Sequence, residues 1–329
     1  MENKFLELEL LVPYGKRFSG SSNGWLVAVN KDWTVTLYKP YSMVKEGNNL
    51  DTCIRLPCIF PIELEYDLDD PQAVFYKSMG IDIENLYDYH VYKALITTDP
   101  LANPSECTVV VIFGPCNELA FLRLAQDTTW TKIEPTISFL SDDIMHFNGL
   151  FYAVNQTNGE LISFDVTDLC DSTIKYVAPE VPNFAPQRTH IKRYLVESCG
   201  GEILQVERYI KWNKVDNARM TLLFRILRFD FDEKNWIEIE NLGDMALFLG
   251  DNSSVSISTS DFVGLQPNHI YFTHDIDLIT SASNPTICDL GMYDIERKNY
   301  KLHFAIDSTT LRKMKSQPPI WVVPTFNEY

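Results

Sequence analysis

Short runs of apolar residues alternate with polar turns along most of the chain. Two runs, Trp25–Val29 and Leu150–Val154, follow the dipeptides Asn23-Gly24 and Asn148-Gly149. Asn-Gly between apolar runs is a strong hairpin signal, because both residues tolerate the backbone of a two-residue turn. The β-branched run Thr108–Phe113 is typical of a strand buried on both faces. Long helical periodicity is absent, so the pattern predicts an all-β protein.

One octapeptide pattern occurs twice. Phe229–Trp236 and Tyr293–Tyr300 both contain an aromatic residue, Asp, an apolar residue, an acid, a variable residue, Lys, Asn and a second aromatic residue. Each copy has the composition of a strand end, a polar turn and the start of the next strand. A hairpin that recurs along a chain indicates a repeat architecture.

Five units of about four strands each can be drawn from these signals. Four-stranded units repeated around a ring are the blades of a β-propeller. We predict one propeller domain over residues 1–329, with blades near residues 17–58, 92–134, 137–178, 193–240 and 245–304.

The two ends of the chain each contain a further strand pattern, at residues 4–11 and 318–324. Pairing strands from both termini in one blade would hide open sheet edges. We therefore predict about six blades, the last shared by the termini and incomplete. Two short helices are expected as well, near Gln72–Ser78 and Ser308–Lys315.

Aromatic residues in polar surroundings are the candidate partner-binding groups, since Tyr and Trp are common interaction hot spots. Tyr66 and Tyr87 lie in Glu63–Asp88, a stretch with eight acidic residues and one lysine. We read this stretch as a long loop, and the alternative is a solvated acidic insertion. Trp212 lies between Lys211 and Lys214. A purely structural role for Trp212 is the alternative.

Net charge and cysteine content narrow the choice of partner and compartment. The chain has 28 basic and 45 acidic residues, a formal net charge of −17. That charge disfavours nucleic acids and anionic membranes as partners. The seven cysteines form no C-x-x-C pair, and neither a secretory signal nor an apolar run of about 20 residues is visible. These features predict a protein of the cytoplasm, the nucleus or both.

The sequence matches to catalytic motifs lack the structural context that those motifs require. Gly20–Gly24 matches G-x-S-x-G, but a strand follows it where a hydrolase needs a helix. His269 and His274, with Asp275 and Asp277, lack the spacing that places two metal ligands on one helix face. No phosphate-binding or dinucleotide motif is found. We predict no catalytic, metal-binding or cofactor-binding residue, no cofactor and no enzymatic activity.

Several longer motifs, spread over about residues 4–325, resemble a plant family, the F-box-associated β-propellers of the KIB type. They are Lys16–Leu26, Trp130–Ile133, Tyr194–Ser198, Gly201–Val206, Asn241–Gly250 and Asn268–Thr273. The resemblance implies a substrate-recognition module of a ubiquitin ligase. Members of the family usually contain an N-terminal F-box that docks on a Skp-type adaptor. About fifteen residues precede Lys16 here, so binding of a Skp-type adaptor is not expected.

These observations favour a non-enzymatic propeller that binds an unknown protein partner, with specificity in loops such as Glu63–Asp88 and Lys211–Arg219. The alternative is a propeller hydrolase that acts on a small molecule or glycan at the central channel. A third possibility is a truncated copy of the family that has lost its role.

Overall fold

The computed structural model describes residues 12–13, 16–40, 53–61, 86–134, 139–167, 174–182, 189–213, 218–262, 264–273, 275, 289–301 and 319–322. These residues form 21 strands in five sheets, together with one four-residue helix, α1 (Tyr87–His90). The all-β prediction is confirmed. No helix in this part of the chain is long and apolar enough to span a membrane.

The first three sheets are antiparallel meanders of four strands. The first contains β1 (Gly20–Ser22), β2 (Trp25–Val29), β3 (Thr34–Tyr38) and β4 (Cys53–Cys58). The second contains β5 (Val91–Ile96), β6 (Thr108–Phe113), β7 (Glu118–Arg123) and β8 (Thr131–Ile133). The third contains β9 (Ser141–Phe147), β10 (Leu150–Asn155), β11 (Leu161–Phe164) and β12 (Lys175–Ala178).

The fourth sheet is a meander with longer strands, and the fifth has a different strand order. The fourth contains β13 (Thr189–Glu197), β14 (Ile203–Asn213), β15 (Ala218–Asp230) and β16 (Asn235–Ile239). The fifth contains β17 (Met245–Leu249), β18 (Ser254–Ser258), β19 (His269–Phe272), β20 (Gly291–Asp294) and β21 (Asn299–Lys301), in the order β18-β17-β19-β20-β21. Because β18 folds back onto the inner side of β17, β19 pairs parallel to β17.

The turns form as the sequence signals predict. Asn23 and Gly24 have φ angles of +50° and +76°, and Asn148 and Gly149 have +50° and +79°. In the repeated octapeptide, Asp230 pairs with Asn235 and Asp294 pairs with Asn299, and both lysines of the turns have φ near +50°. In both turns the Asp carboxylate accepts backbone N–H groups 3.0 Å away. The side chain thereby stabilises the turn that the sequence specifies.

Four hydrophobic clusters fill the spaces between consecutive sheets. Alternation along each strand divides its side chains between two clusters: Val109 and Val111 pack towards the first sheet, and Val110 and Ile112 pack towards the third. A strand such as β6, which lies between two neighbouring sheets, is therefore apolar along nearly its whole length, since both of its faces are buried. Full burial of one such side chain is worth about 1.5–3 kcal/mol.

The predicted sixth blade stays a prediction. Residues 4–11 lie outside the described part of the chain, as do the expected helices at Gln72–Ser78 and Ser308–Lys315. The described residues of the predicted terminal strand, 319–322, are not part of a strand. Trp321 is nevertheless docked on the fifth sheet, where its indole N–H donates to the Leu249 carbonyl at 2.9 Å and its ring meets Phe248 edge-on.

Candidate functional site

The innermost strands of the five sheets surround one cavity of about 570 Å³. These strands are β1, β5, β9, β13 and β18. They run side by side without forming a common sheet, so side chains make many of the contacts between them. At the end of β1, for example, Ser22 Oγ and Asn23 Nδ2 each donate to the carbonyl of Ile96 on β5 at 2.7 Å.

Two adjacent acids on β9 connect this inner wall. Asp143 forms a buried ion pair with Lys93 of β5, and its other oxygen accepts the backbone N–H of Leu195 on β13 at 2.8 Å. Burial raises the pKa of the Asp143 carboxyl, and the positive charge of Lys93 opposes that effect. One carboxylate thus joins the second, third and fourth sheets.

Asp142 makes an equivalent connection between the third and fourth sheets. Its carboxylate accepts the backbone N–H of Arg193 at 2.6 Å and pairs with the ammonium of Lys192 at 2.9 Å. Burial alone would lower the pKa of Lys192, but Asp142, with further contributions from Asp251 and Asp275, raises it. The lysine therefore stays charged within the wall.

A second buried network lies between the fourth and fifth sheets around Arg208, which is fully buried. The guanidinium pairs with Asp275 at 2.8 Å and with Asp289 at 3.1 Å. It also donates to Thr221 Oγ1 at 2.8 Å, and Asp275 accepts the hydroxyl of Tyr194. Asp275 and Asp289 lie on either side of residues 276–288, so the network holds both ends of that connection against the fourth sheet.

A third buried cation, Arg17, joins the first sheet to the second. It donates to the carbonyls of Asp88 at 3.2 Å and Tyr92 at 3.0 Å, and to that of Val91. Desolvation lowers the pKa of Arg17, and neighbouring acids, with Asp251 first among them, oppose this. Arg17, in the motif Lys16–Leu26 of the family resemblance, therefore makes a contact between two neighbouring sheets.

The carboxyl of Asp88, beside Arg17, makes the free energy of unfolding depend on pH. Burial raises its pKa from 3.8 to about 6, and Arg17 and Lys16 offset the rise only partly. The folded state thus favours the neutral form of Asp88. The stability that this preference contributes is fully present below about pH 4 and is lost as the pH rises through about 6. We expect Asp88→Asn to melt at a higher temperature than the unaltered protein at pH 7, with the difference shrinking towards pH 4. A difference that does not vary between these pH values would contradict the assignment.

The three predicted partner-binding residues are not brought together by the described part of the structure. Tyr66 lies outside it. Trp212 is on β14 opposite Arg219, and its side chain lies outside the described residues. Tyr87 is half-buried in α1 and packs against the core between the first and second sheets; burial raises its pKa. Their role in partner binding stays a prediction.

The G-x-S-x-G match and the His/Asp cluster, both interpreted as non-catalytic, lie in turns and contacts of the fold. Ser22, in the G-x-S-x-G match, ends β1 at a hairpin turn. His269 lies 3.8 Å from Asp294, while Asp275 belongs to the Arg208 network. The described residues contain no group of three or more His, Cys, Asp or Glu side chains that could hold a metal ion.

Sequence reasoning missed the buried charges altogether. Lys93 interrupts the otherwise apolar strand Val91–Ile96, and Arg208 is buried on β14 between the apolar residues Val206 and Ile210. A lysine or arginine within a strand that is buried on both faces indicates a buried ion pair, because such a side chain is almost never buried without a partner. The sequence does not say which of the 45 acids the partner is.

The hairpin of β14 and β15, the long hairpin, exceeds the other strands in length. Its strands have 11 and 13 residues, and the next longest strand has nine. Lys211 faces Met220 across the pair, and a bulge follows at Tyr209 and Ile210. Both Met220 and Leu223 are exposed, by 42% and 40%. An apolar surface with a basic neighbour therefore lies on an acidic protein.

Five sheets arranged around a common cavity, with ion pairs between their innermost strands, define a β-propeller. The model of the KIB1-4 β-propeller family matches residues 2–299. The chain belongs to that family, and the resemblance drawn from its motifs is confirmed.

Curated relatives from Arabidopsis thaliana include F-box protein SKIP23, which is 26% identical over 95% of this chain and 77% of its own length. Putative F-box protein At5g60060 is 28% identical over 48% of this chain, and the match takes in 40% of that protein. Among solved structures, virginiamycin B lyase from Staphylococcus aureus aligns over 92% of this chain and 88% of its own, at 12% identity and a TM-score of 0.37. A likeness that weak carries no argument about function.

Proposed function

We propose that this propeller binds another protein and acts as the substrate-recognition part of an F-box type ubiquitin ligase, in the cytoplasm, the nucleus or both. Membership of a family whose relatives are named F-box proteins supports the ligase context. The observation that carries the binding role is the long hairpin, because it exposes apolar side chains where the other sheets end in short turns.

The described residues that flank the two predicted specificity segments lie on one face of the propeller. In each of the first four sheets, the connection from the second strand to the third lies at the end of the sheet where the innermost strand begins. Asn213 and Ala218, the outermost described pair of the long hairpin, lie on that side. Pro61, which precedes the acidic stretch, and Leu86, within it, lie between β4 and β5 on that same side. A partner that contacts this face could therefore meet basic and acidic segments together.

A double variant tests the long hairpin. We expect Met220→Ser with Leu223→Ser to lose most of the proteins that proximity labelling assigns to the unaltered protein in plant cells, because exposed apolar groups dominate interface energetics. Tyr176→Ser is the matched control, since Tyr176 is 51% exposed on β12, far along the chain from the hairpin. The proposal would be contradicted if Tyr176→Ser lost as many labelled proteins as the double variant. It would also be contradicted if the double variant, at an unchanged melting temperature, lost none.

The geometry of the channel does not favour the hydrolase alternative. Of the carboxylates in its wall, those of Asp142 and Asp143 each accept a backbone N–H and pair with a lysine. The ring of His146 is half-buried, and desolvation lowers its pKa. The described wall therefore offers no pair of carboxyl groups free to act as acid and base.

A further inference from the structure

The innermost strands run in the same direction around the channel, so their ends define one face of the propeller. Ser22, at the end of β1, bonds to Ile96 at the end of β5, and Ser256 of β18 bonds to Glu197 at the end of β13. We call the face where these strands end the exit face. Since β14 ends beside the beginning of β13, the far end of the long hairpin lies on the opposite face.

Three loops of the exit face expose large apolar side chains. Leu101, between β5 and β6, is 51% exposed, and Phe262, between β18 and β19, is 53% exposed. Phe231, in the turn between β15 and β16, is 48% exposed. Among the described residues, the one other large apolar side chain exposed to this extent, Tyr176, lies on the outermost strand of the third sheet. Scattered apolar residues on a surface are normal, but three of the four most exposed ones share this face.

Phe231 is exposed at a position that is buried in the other copy of the repeated octapeptide. Phe231 is the third residue of the first copy, and Ile295 is the third residue of the second. Ile295 is 7% exposed and belongs to the hydrophobic cluster between the fourth and fifth sheets. Phe231 stacks on Phe147 of the third sheet, with ring centroids 6.2 Å apart, and remains largely exposed. The turn itself therefore does not require an exposed phenyl ring.

Negative charge flanks both phenyl rings. Asp232 and Glu233 directly follow Phe231, and Asp261 directly precedes Phe262. All three acids are exposed, and they form no ion pair among the described residues. Since a charge acts over about 8 Å at physiological ionic strength, these carboxylates influence any charged group that approaches the rings.

The same imbalance of charge extends over the exit face. Further exposed acids that form no ion pair among the described residues include Glu106, Glu197 and Glu296. In the described loops and strand ends of this face, the exposed bases that lack an ion pair are Lys175 and Lys234. A negatively charged partner would be repelled by this surface, and a positively charged one would be attracted.

We propose that the exit face is a second protein-docking surface, which binds a basic segment of another protein that also carries aromatic or aliphatic side chains. The apolar side chains of the segment cover Leu101, Phe231 and Phe262. Its lysine or arginine side chains pair with the carboxylates while their stems lie along the rings. Because the long hairpin is on the opposite face, both surfaces can be occupied at once, and neither proposal depends on the other.

Three dodecapeptides with the same phenylalanines and leucines, and with either Lys, Gln or Glu at every other position, test the proposal. Fluorescence anisotropy of each labelled peptide with the full-length protein at about 150 mM salt measures binding. We expect the basic peptide to bind with a Kd of about 100 μM or lower and the other two to bind at least about tenfold more weakly. Equal binding of the basic and neutral peptides, preference for the acidic peptide, or no binding of the basic peptide would overturn the proposal.

Variants of the exposed rings separate this site from a general attraction to an acidic protein. We expect Phe231→Ser and Phe262→Ser each to weaken binding of the basic peptide at least about fivefold, the effect of an apolar interface anchor. Tyr176→Ser is the matched control and should leave the affinity unchanged. Phe262 is the more exposed ring, so Phe262→Ser keeps the test decisive if Phe231→Ser does not fold. Unchanged affinity in Phe262→Ser, or an equal loss in Tyr176→Ser, would overturn the assignment.

A matched pair of charge variants tests the contribution of the carboxylates. We expect Glu233→Gln to weaken binding of the basic peptide about 1.5–5-fold, the range for one exposed ion pair. Glu180 is exposed and lacks an ion pair as well, but it follows β12 on the opposite face. Glu180→Gln removes the same charge and should leave the affinity unchanged. Equal weakening by the two variants would show attraction to the whole protein and would contradict a site on the exit face.

Discussion

Replacement of Arg208 by Met should lower the free energy of unfolding by about 3–5 kcal/mol, the usual cost of removing one partner from a buried ion pair. The side chain of Met fills much of the same space, so the loss would come from the acids that remain. Asp275 and Asp289, both at most 5% exposed, would be left in the interior without their counter-ion. Urea unfolding followed by tryptophan fluorescence measures the change.

Two further variants separate charge from packing. Arg228→Met removes an ion pair with Glu202 whose side chains are 36% and 41% exposed. Since exposed pairs contribute little, we expect a loss below about 1 kcal/mol. Adding Asp275→Asn and Asp289→Asn to Arg208→Met should recover part of the stability, because the stranded charges are removed. Arg208→Met with no larger loss than Arg228→Met would show that the buried network does not stabilise the fold.

Replacement of Asp143 by Ala should have an effect of similar size, about 3–5 kcal/mol. It would leave the ammonium of Lys93 buried without a counter-ion and the N–H of Leu195 without an acceptor. Asp143→Asn keeps an acceptor for Leu195 and should lose less than Asp143→Ala. The same unfolding measurement applies.

The control for Asp143 is Glu118→Ala, whose pair with Lys132 is 39% and 43% exposed. The double variant Lys93→Met with Asp143→Leu should regain most of the stability, because apolar groups can replace a buried ion pair without a large loss. If that double variant unfolds as easily as Asp143→Ala, the acceptor for Leu195 matters more than the charge pair.

The strands could be predicted because their signals are local. Trp25–Val29 and Thr108–Phe113 are visible as apolar runs, and Asn23-Gly24 fixes a turn through its own backbone preferences. The strand order of the fifth sheet could not be predicted. Met245–Leu249 and Ser254–Ser258 look like one more hairpin, and only tertiary contacts place the more polar second strand innermost.

The buried charges were beyond prediction for a different reason. Lys192 and Asp142 are 50 positions apart, and Arg208 and Asp275 are 67 apart. In a chain with 45 acids, many pairings of a given cation are equally plausible until the sheets are placed side by side. The buried amide of Asn252 likewise has no signature in the sequence, because its burial depends on the contact with Trp321.

The docking of Trp321 has a consequence during protein synthesis. The indole bonds to a carbonyl 72 positions earlier in the chain, at Leu249. Ribosomes add about 5–20 residues per second, so the end of β17 waits several seconds for its partner. During that interval the end of β17 at Gly250 is uncovered, while the earlier sheets can already be packed. Nascent chains that stall before Trp321 emerges would therefore expose the end of β17 to chaperones.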